Sequence, residues 1–211
     1  RELHLPIPQL FSVTSRVSWL IQMHLLVLLV MSAIIAILLG GQAHYYPLYA
    51  VMLVTALAGF FNLVCFSLLR RHTLPESAVI LAILGFDVII ITIFVHFTGG
   101  LISLFNLAYF LIIVAGSIFI SYRAGVGLAL GSFLAFAVIV LLEFYDVVAR
   151  YPLFDVSRRL PHDHIYVYLT VYLSGLLFYT IALLAGQVGK ILTRTQATMS
   201  YVEKMTALGR L

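Results

Sequence analysis

Apolar residues fall into six long blocks, at about 17–39, 46–69, 77–97, 101–120, 124–145 and 165–187. Each block reaches the roughly 20 residues that an α-helix needs to cross a bilayer core. Turn and boundary residues separate them: Gly40-Gly41, Arg70-Arg71-His72, Gly99-Gly100, Tyr122-Arg123 and a polar stretch from Arg150 to His164. The first block is too long for a signal-peptide core and no small-residue cleavage site follows it, so it counts as a helix. The pattern predicts an all-α polytopic membrane protein, a six-transmembrane-helix bundle. From Lys190 the chain turns polar, with Met199, Val202, Met205 and Leu208 recurring every three residues. That periodicity, free of proline from Ile165 to Leu211, predicts that the sixth helix continues out of the membrane as an amphipathic extension.

Composition supports this reading. The chain has 211 residues, 63% apolar and only 9% charged, against roughly 25% charged in soluble domains. Six spans of about 21 residues consume roughly 126 positions, which leaves no room for a globular domain. The 12 Lys and Arg are scattered between apolar blocks and line no single face, which excludes a nucleic-acid-binding module. The excess charge of +4 reads as topology instead. Arg1, Arg16, Arg70, Arg71, Arg123, Lys190, Arg194, Lys204 and Arg210 would share one side of the membrane, and Arg150, Arg158 and Arg159 the other. Nine against three places both termini in the cytoplasm, with Trp19 and Tyr122 at the inner boundary and Tyr45, Tyr46, Tyr49, Tyr151 and Tyr166 at the outer one. The expected organisation is a cytoplasmic segment 1–16, a membrane domain 17–189 and a cytoplasmic helix 190–211. The lone cysteine, Cys65, excludes an intramolecular disulfide. Because the sequence opens on Arg1 and closes inside a helical pattern at Leu211, it is expected to be a piece of a longer protein.

No Walker loop, HExxH, GxSxG or paired-carboxylate spacing is present. The longest expected external segment, about 146–164, has fewer than twenty residues and cannot bury a core. A stimulus would therefore arrive in the membrane or at its outer face. Asp87 stands out ten residues into the third block, about 15 Å deep. A carboxyl at that depth is expected to be protonated or paired, with Asn62 and Ser174 as candidate partners, and it is a candidate sensing residue. Gly127 and Gly131 form a GxxxG pair, and Ala115-Gly116, Gly175 and Ala185-Gly186 offer further close approaches between helices. His162 and His164 flank Asp163, a weak metal-ligand pair without a third ligand, and no metal site is expected.

Two motifs carry a resemblance. The terminal run Glu203-Lys204-Met205-Thr206-Ala207-Leu208-Gly209-Arg210-Leu211 resembles the "E-K-x-x-x-L-G-x-L" stretch that opens the dimerisation and phosphoacceptor helix of sensor histidine kinases. The run Thr98-Gly99-Gly100-Leu101-Ile102-Ser103-Leu104-Phe105 resembles the T-G-G-x-x-S-P-F turn of pilus-regulating (PilS-like) and nitrogen-regulating (NtrB-like) kinases. Quinone-responsive (RegB-like) kinases carry a related G-G-x-x-N-P-F turn, and here Leu104 stands where these families have Pro.

The resemblance implies the sensor module of a bacterial inner-membrane histidine kinase. Its missing part would use ATP and Mg to phosphorylate a histidine and pass the phosphate to a response regulator, with no catalytic residue in this chain. It implies a homodimer embedded in the lipid bilayer, and a membrane protein ligand such as a pilin as a partner. Signal transmission would run through Lys190, Arg194, Met199, Val202, Met205 and Leu208. A headgroup docking at Gly99 and Gly100 would find hydrogen-bonding groups in His96, Ser103, Asn106 and Tyr109 and stacking surfaces in Phe97 and Phe105. A quinone is the ligand of the same-architecture alternative, a redox-sensing module. From another class, the alternative is a small transporter or lipid-handling protein, which has no use for the tail.

Overall fold

The computed structural model describes residues 48–71, 75–151 and 163–208, with scattered positions between 22 and 37. The described residues are helical, with no strand among them. The chain divides into two compact units, Arg1–Val79 and Ile80–Leu211. In the first, α1 spans Leu48–Arg70, and the Ser32 and Thr55 hydroxyls meet at 2.7 Å. The Asn62 amide donates to the Ala58 carbonyl of its own helix.

The second unit holds most of α2 (Glu76–Phe97), then two 3-10 turns (Gly100–Ile102 and Leu104–Leu107), α3 (Ala108–Phe119), α4 (Tyr122–Phe144) and α5 (His164–Leu208). Among the described residues three helices are long and apolar enough to cross a membrane: Glu76–Phe97, Tyr122–Phe144 and His164–Val202. The 45-residue α5 has no break at Lys190, because its sequence contains no proline and its two glycines near that point are packed rather than turned.

Two expectations need correction. The fourth apolar block is not one continuous helix over 101–120. Gly99 and Gly100 take φ of 114° and 58°, a region that costs glycine nothing. Ser103 then takes φ −61° and ψ 129°, an extended conformation that stops helical propagation until Ala108. The second correction concerns Gly127 and Gly131. A Cβ at either would meet nothing within 4 Å, so this pair packs against no helix among the described residues. The inward stripe of α4 is instead Gly125, Leu128, Ala129, Ser132, Phe136, Val140 and Glu143. The four-residue spacing is present, but both glycines lie on the exposed side of α4.

Close packing falls at other small residues. A Cβ on Gly116 would strike Leu128, on Gly125 the Ser117 side chain, on Gly175 the Phe133 ring, and on Gly186 the Tyr122 ring. At Gly189 it would lie 3.0 Å from the Ser117 carbonyl oxygen. These contacts bring α3, α4 and α5 together through backbone proximity, the packing mode expected in lipid. At mid-bundle, Tyr109, Phe136 and Phe178 are fully buried against one another, with Tyr109–Phe178 centroids 5.4 Å apart.

Candidate functional site

The turn between α2 and α3 is held by a directed chain of hydrogen bonds. The Thr98 hydroxyl donates to the Phe94 carbonyl at 2.6 Å, so its one proton is used. It therefore accepts from the Ser103 hydroxyl, 2.6 Å away, while Ser103 accepts from the Phe105 N–H at 3.2 Å. The single serine thus closes the turn and caps the second 3-10 segment. Both hydroxyls are buried, so the low surrounding dielectric strengthens each link of the chain.

Beside this turn stands a sheltered acid. Glu143, at the end of α4, places Oε1 2.6 Å from His96 Nδ1 at the end of α2. Their side chains are 9% and 12% exposed. A Cβ on Gly100 would fall on the Glu143 carboxylate; glycine is needed here for both its φ and its missing side chain. Tyr151 covers the pair, its ring 5.2 Å from the His96 ring in edge contact and 5.1 Å from Phe97. Arg150 closes the end of α4, donating from Nε to the Glu143 carbonyl at 2.7 Å and from Nη2 to the Phe144 carbonyl at 2.9 Å. Its Nη2 also lies 2.8 Å from the Asp146 carboxylate. One cation so satisfies two of the carbonyls that a helix end leaves without partners.

Of the candidate sensing residues, His96, Gly99, Gly100 and Ser103 converge here. Asn106 lies on the second 3-10 turn; its N–H donates to the Ser103 carbonyl, and its Oδ1 is buried without a hydrogen-bond partner among the described residues. Tyr109 does not join the group. It points into the bundle, where it donates to Thr92 at 2.6 Å, Thr92 in turn donating to the Val88 carbonyl. Asp87 is buried on α2, nine residues before His96 and so about 14 Å further along the helix. Phe105 packs on Phe94. His162 lies outside the described residues. The His164 ring packs edge-on against Phe144 at 4.7 Å, and among the described residues no group of three or more His, Cys, Asp or Glu is placed to hold a metal ion.

Glu143 is the residue that sequence reasoning missed. The available signal was a carboxylate inside the fifth apolar block, which in a membrane span asks for a partner.

At the opposite end of the unit, Lys190 Nζ sits 5.0 Å from the centre of the Tyr122 ring, a cation–π contact at the point where α5 leaves its neighbours. Beyond it Arg194, Met199, Val202 and Met205 are exposed, and Leu208 is the last residue of α5.

The model of the PilS-like transmembrane domain matches residues 11–199. The chain belongs to that family. No curated protein and no solved structure matches it. The PilS-like domain thus supplies the six-helix membrane framework, and at its Gly99-Gly100 turn the buried Thr98, Ser103 and Glu143 come together.

Proposed function

We propose that this PilS-like domain is the membrane input module of a two-component sensor histidine kinase. In this reading both ends are cytoplasmic, the Gly99-Gly100 turn faces outward, and a stimulus in the membrane or at its outer surface alters α5. The altered helix then controls autophosphorylation of a histidine beyond Leu211 and phosphotransfer to a response regulator. ATP and Mg belong to that further part; a pilin-like membrane protein is a stimulus of suitable access.

The observation that carries the reading is α5 itself, one uninterrupted helix that extends from the turn end of the bundle to well past Lys190. A second feature supports dimerisation. At 100° per residue, the inward residues Gly175, Phe178, Ala182, Gly186 and Gly189 share one side of α5. Leu173, Leu177, Leu184, Val188, Ile191, Val202 and Met205 share the other, and all seven are exposed. The apolar positions Val202 and Met205 of the extension therefore fall on the same side as the outward residues of the span, facing away from α3 and α4, at intervals of three, four, seven and eleven residues that keep one helix face toward a partner. Past the bilayer such a face needs cover, and a second copy of the same helix provides it in register.

The test is a phase experiment. One residue inserted after Thr195 turns everything beyond it by about 100°, and should lock kinase output on or off. Seven inserted residues return the same face to the partner and should largely restore regulation. Cysteines at Met199, Val202 or Met205 should crosslink between chains better than cysteines at Gln196 or Glu203. Unchanged response after the single insertion, or crosslinking without facial preference, would reduce the helix to a tether and overturn the reading.

A further inference from the structure

The last residues of α4 make contacts in two directions. Glu143 reaches back to His96 and to the backbone of Gly100. The next residue, Phe144, packs edge-on against His164 at 4.7 Å and lies 6.1 Å from Tyr168, both in the first turns of α5. The residue after that, Tyr145, brings its hydroxyl 2.6 Å from that of Tyr168. Arg150 binds the carbonyls of Glu143 and Phe144 together with the Asp146 side chain, which keeps this short segment from fraying. Three consecutive residues thus touch the α2–α3 turn on one side and the start of the long helix on the other.

We propose that Glu143, Phe144 and Tyr145 form the coupling element through which the Gly99-Gly100 turn sets the position of α5. The inference rests on the reading of α5 as the signalling helix and names where that helix receives its input. Glu143 and Gly100 are positioning residues in this device. The carboxylate occupies the space that a Gly100 side chain would need, so a side chain there would have to push Glu143 away from His96. A displacement of the turn, by a ligand or a neighbouring protein at that surface, moves Glu143, and the rigid end of α4 passes the shift to His164 and Tyr168. Glu143 meets His96 through one short side-chain contact. Its use is geometric: it joins two elements that are 47 residues apart in the chain.

The experiment reads the far end of α5. The lone cysteine is first removed as Cys65→Ala, and a cysteine is placed at Val202, about 50 Å along the helix from Tyr168. Disulfide crosslinking between chains is then measured in native membranes. Glu143→Ala and Gly100→Ala should each change the crosslinked fraction about two-fold or more. The double variant should change it by less than the sum of the two, because truncating the carboxylate removes the clash at Gly100 and leaves only the strain of an alanine at φ 58°. Glu143→Gln, which keeps an acceptor for His96, should remain near the unaltered chain. Tyr168→Phe, a mild change at an exposed position, should shift crosslinking in the same direction as Glu143→Ala and keeps the test open if Gly100→Ala fails to fold. Crosslinking at Val202 that is unmoved by Glu143→Ala and Tyr168→Phe, or additive effects of Glu143→Ala and Gly100→Ala, would overturn the coupling alone. Absence of any preference for Val202 over Gln196 in the otherwise unaltered chain would overturn the dimeric reading, and this inference with it.

Discussion

Lys190 and Tyr122 meet through a cation–π contact of 5.0 Å, directly beside the place where Gly186 lets the same tyrosine ring lie against α5. The ring meets α5 at two points, a backbone that lacks a side chain and an ammonium group one turn later. Gly186→Ala should therefore push Tyr122 off its seat and cost about 1–3 kcal/mol, the usual range for overpacking. Adding Tyr122→Ala should recover much of that loss. Thermal unfolding in detergent, followed by circular dichroism, checks both, and equal stability of Gly186→Ala and the unaltered chain would contradict the packing described.

Mid-bundle, the aromatic core and its one hydrogen bond should contribute very unequally. Phe178→Ala removes a buried ring from contact with Tyr109, Phe110 and Phe136, and about 3–5 kcal/mol should be lost. Tyr109→Phe removes only the donor to Thr92, which keeps its own bond to Val88. That change should cost about 1 kcal/mol or less. The reverse order of the two losses would show that the hydroxyl, not the ring, organises this layer.

Ser103 holds the turn through one hydroxyl that donates to Thr98 and caps the 3-10 segment. Ser103→Ala should lower stability by about 1 kcal/mol, and Ser103→Thr, which keeps the hydroxyl, should lower it less. Amide hydrogen exchange at Phe105, whose N–H would lose its acceptor, should accelerate in the alanine variant only.

Asp87 is buried within α2. Asp87→Asn retains hydrogen-bonding capacity and should leave stability and signalling output close to normal. If the proposed function holds, Asp87→Leu should shift the set-point of kinase output or the strength of dimerisation without unfolding the bundle, as membrane hydrogen bonds are worth about 0.6–2 kcal/mol. Equal output from all three proteins would remove Asp87 from the sensing candidates.

Orientation can be read with reporter fusions. Joined after Leu69 or after Leu211, a reporter should be cytoplasmic; joined near Ser157 it should be external, as the distribution of Lys and Arg requires. A cytoplasmic signal from Ser157 would invalidate the six-span topology.

The helical membrane character was legible because block length and near-absence of charge leave a bilayer few alternatives. What hid was local and three-dimensional. Leu101, Ile102, Leu104 and Leu107 read as the start of a span, and their apolar character conceals the extended Ser103 among them. Gly127 and Gly131 have helix-packing spacing, yet a repeat alone does not say whether a helix turns that side toward a neighbour or toward lipid. Glu143 escaped notice because its partner, His96, lies on another helix and only the folded chain brings Nδ1 to Oε1. The turn residues His96, Gly99, Gly100 and Ser103 were legible as a group, since the glycine pair marks a reversal that gathers whatever flanks it.

The absence of a break in α5 has a mechanical consequence. From Lys190 to Leu208 the helix runs about 27 Å past its last neighbour among the described residues, and in the proposed function Lys190 on Tyr122 would act as the fulcrum. A tilt of about 5° at that point would swing Leu208 sideways by about 2 Å, comparable to the helix shifts of about 1–2 Å that operate known switches. The lever arm makes small rearrangements in the bundle sufficient at its tip.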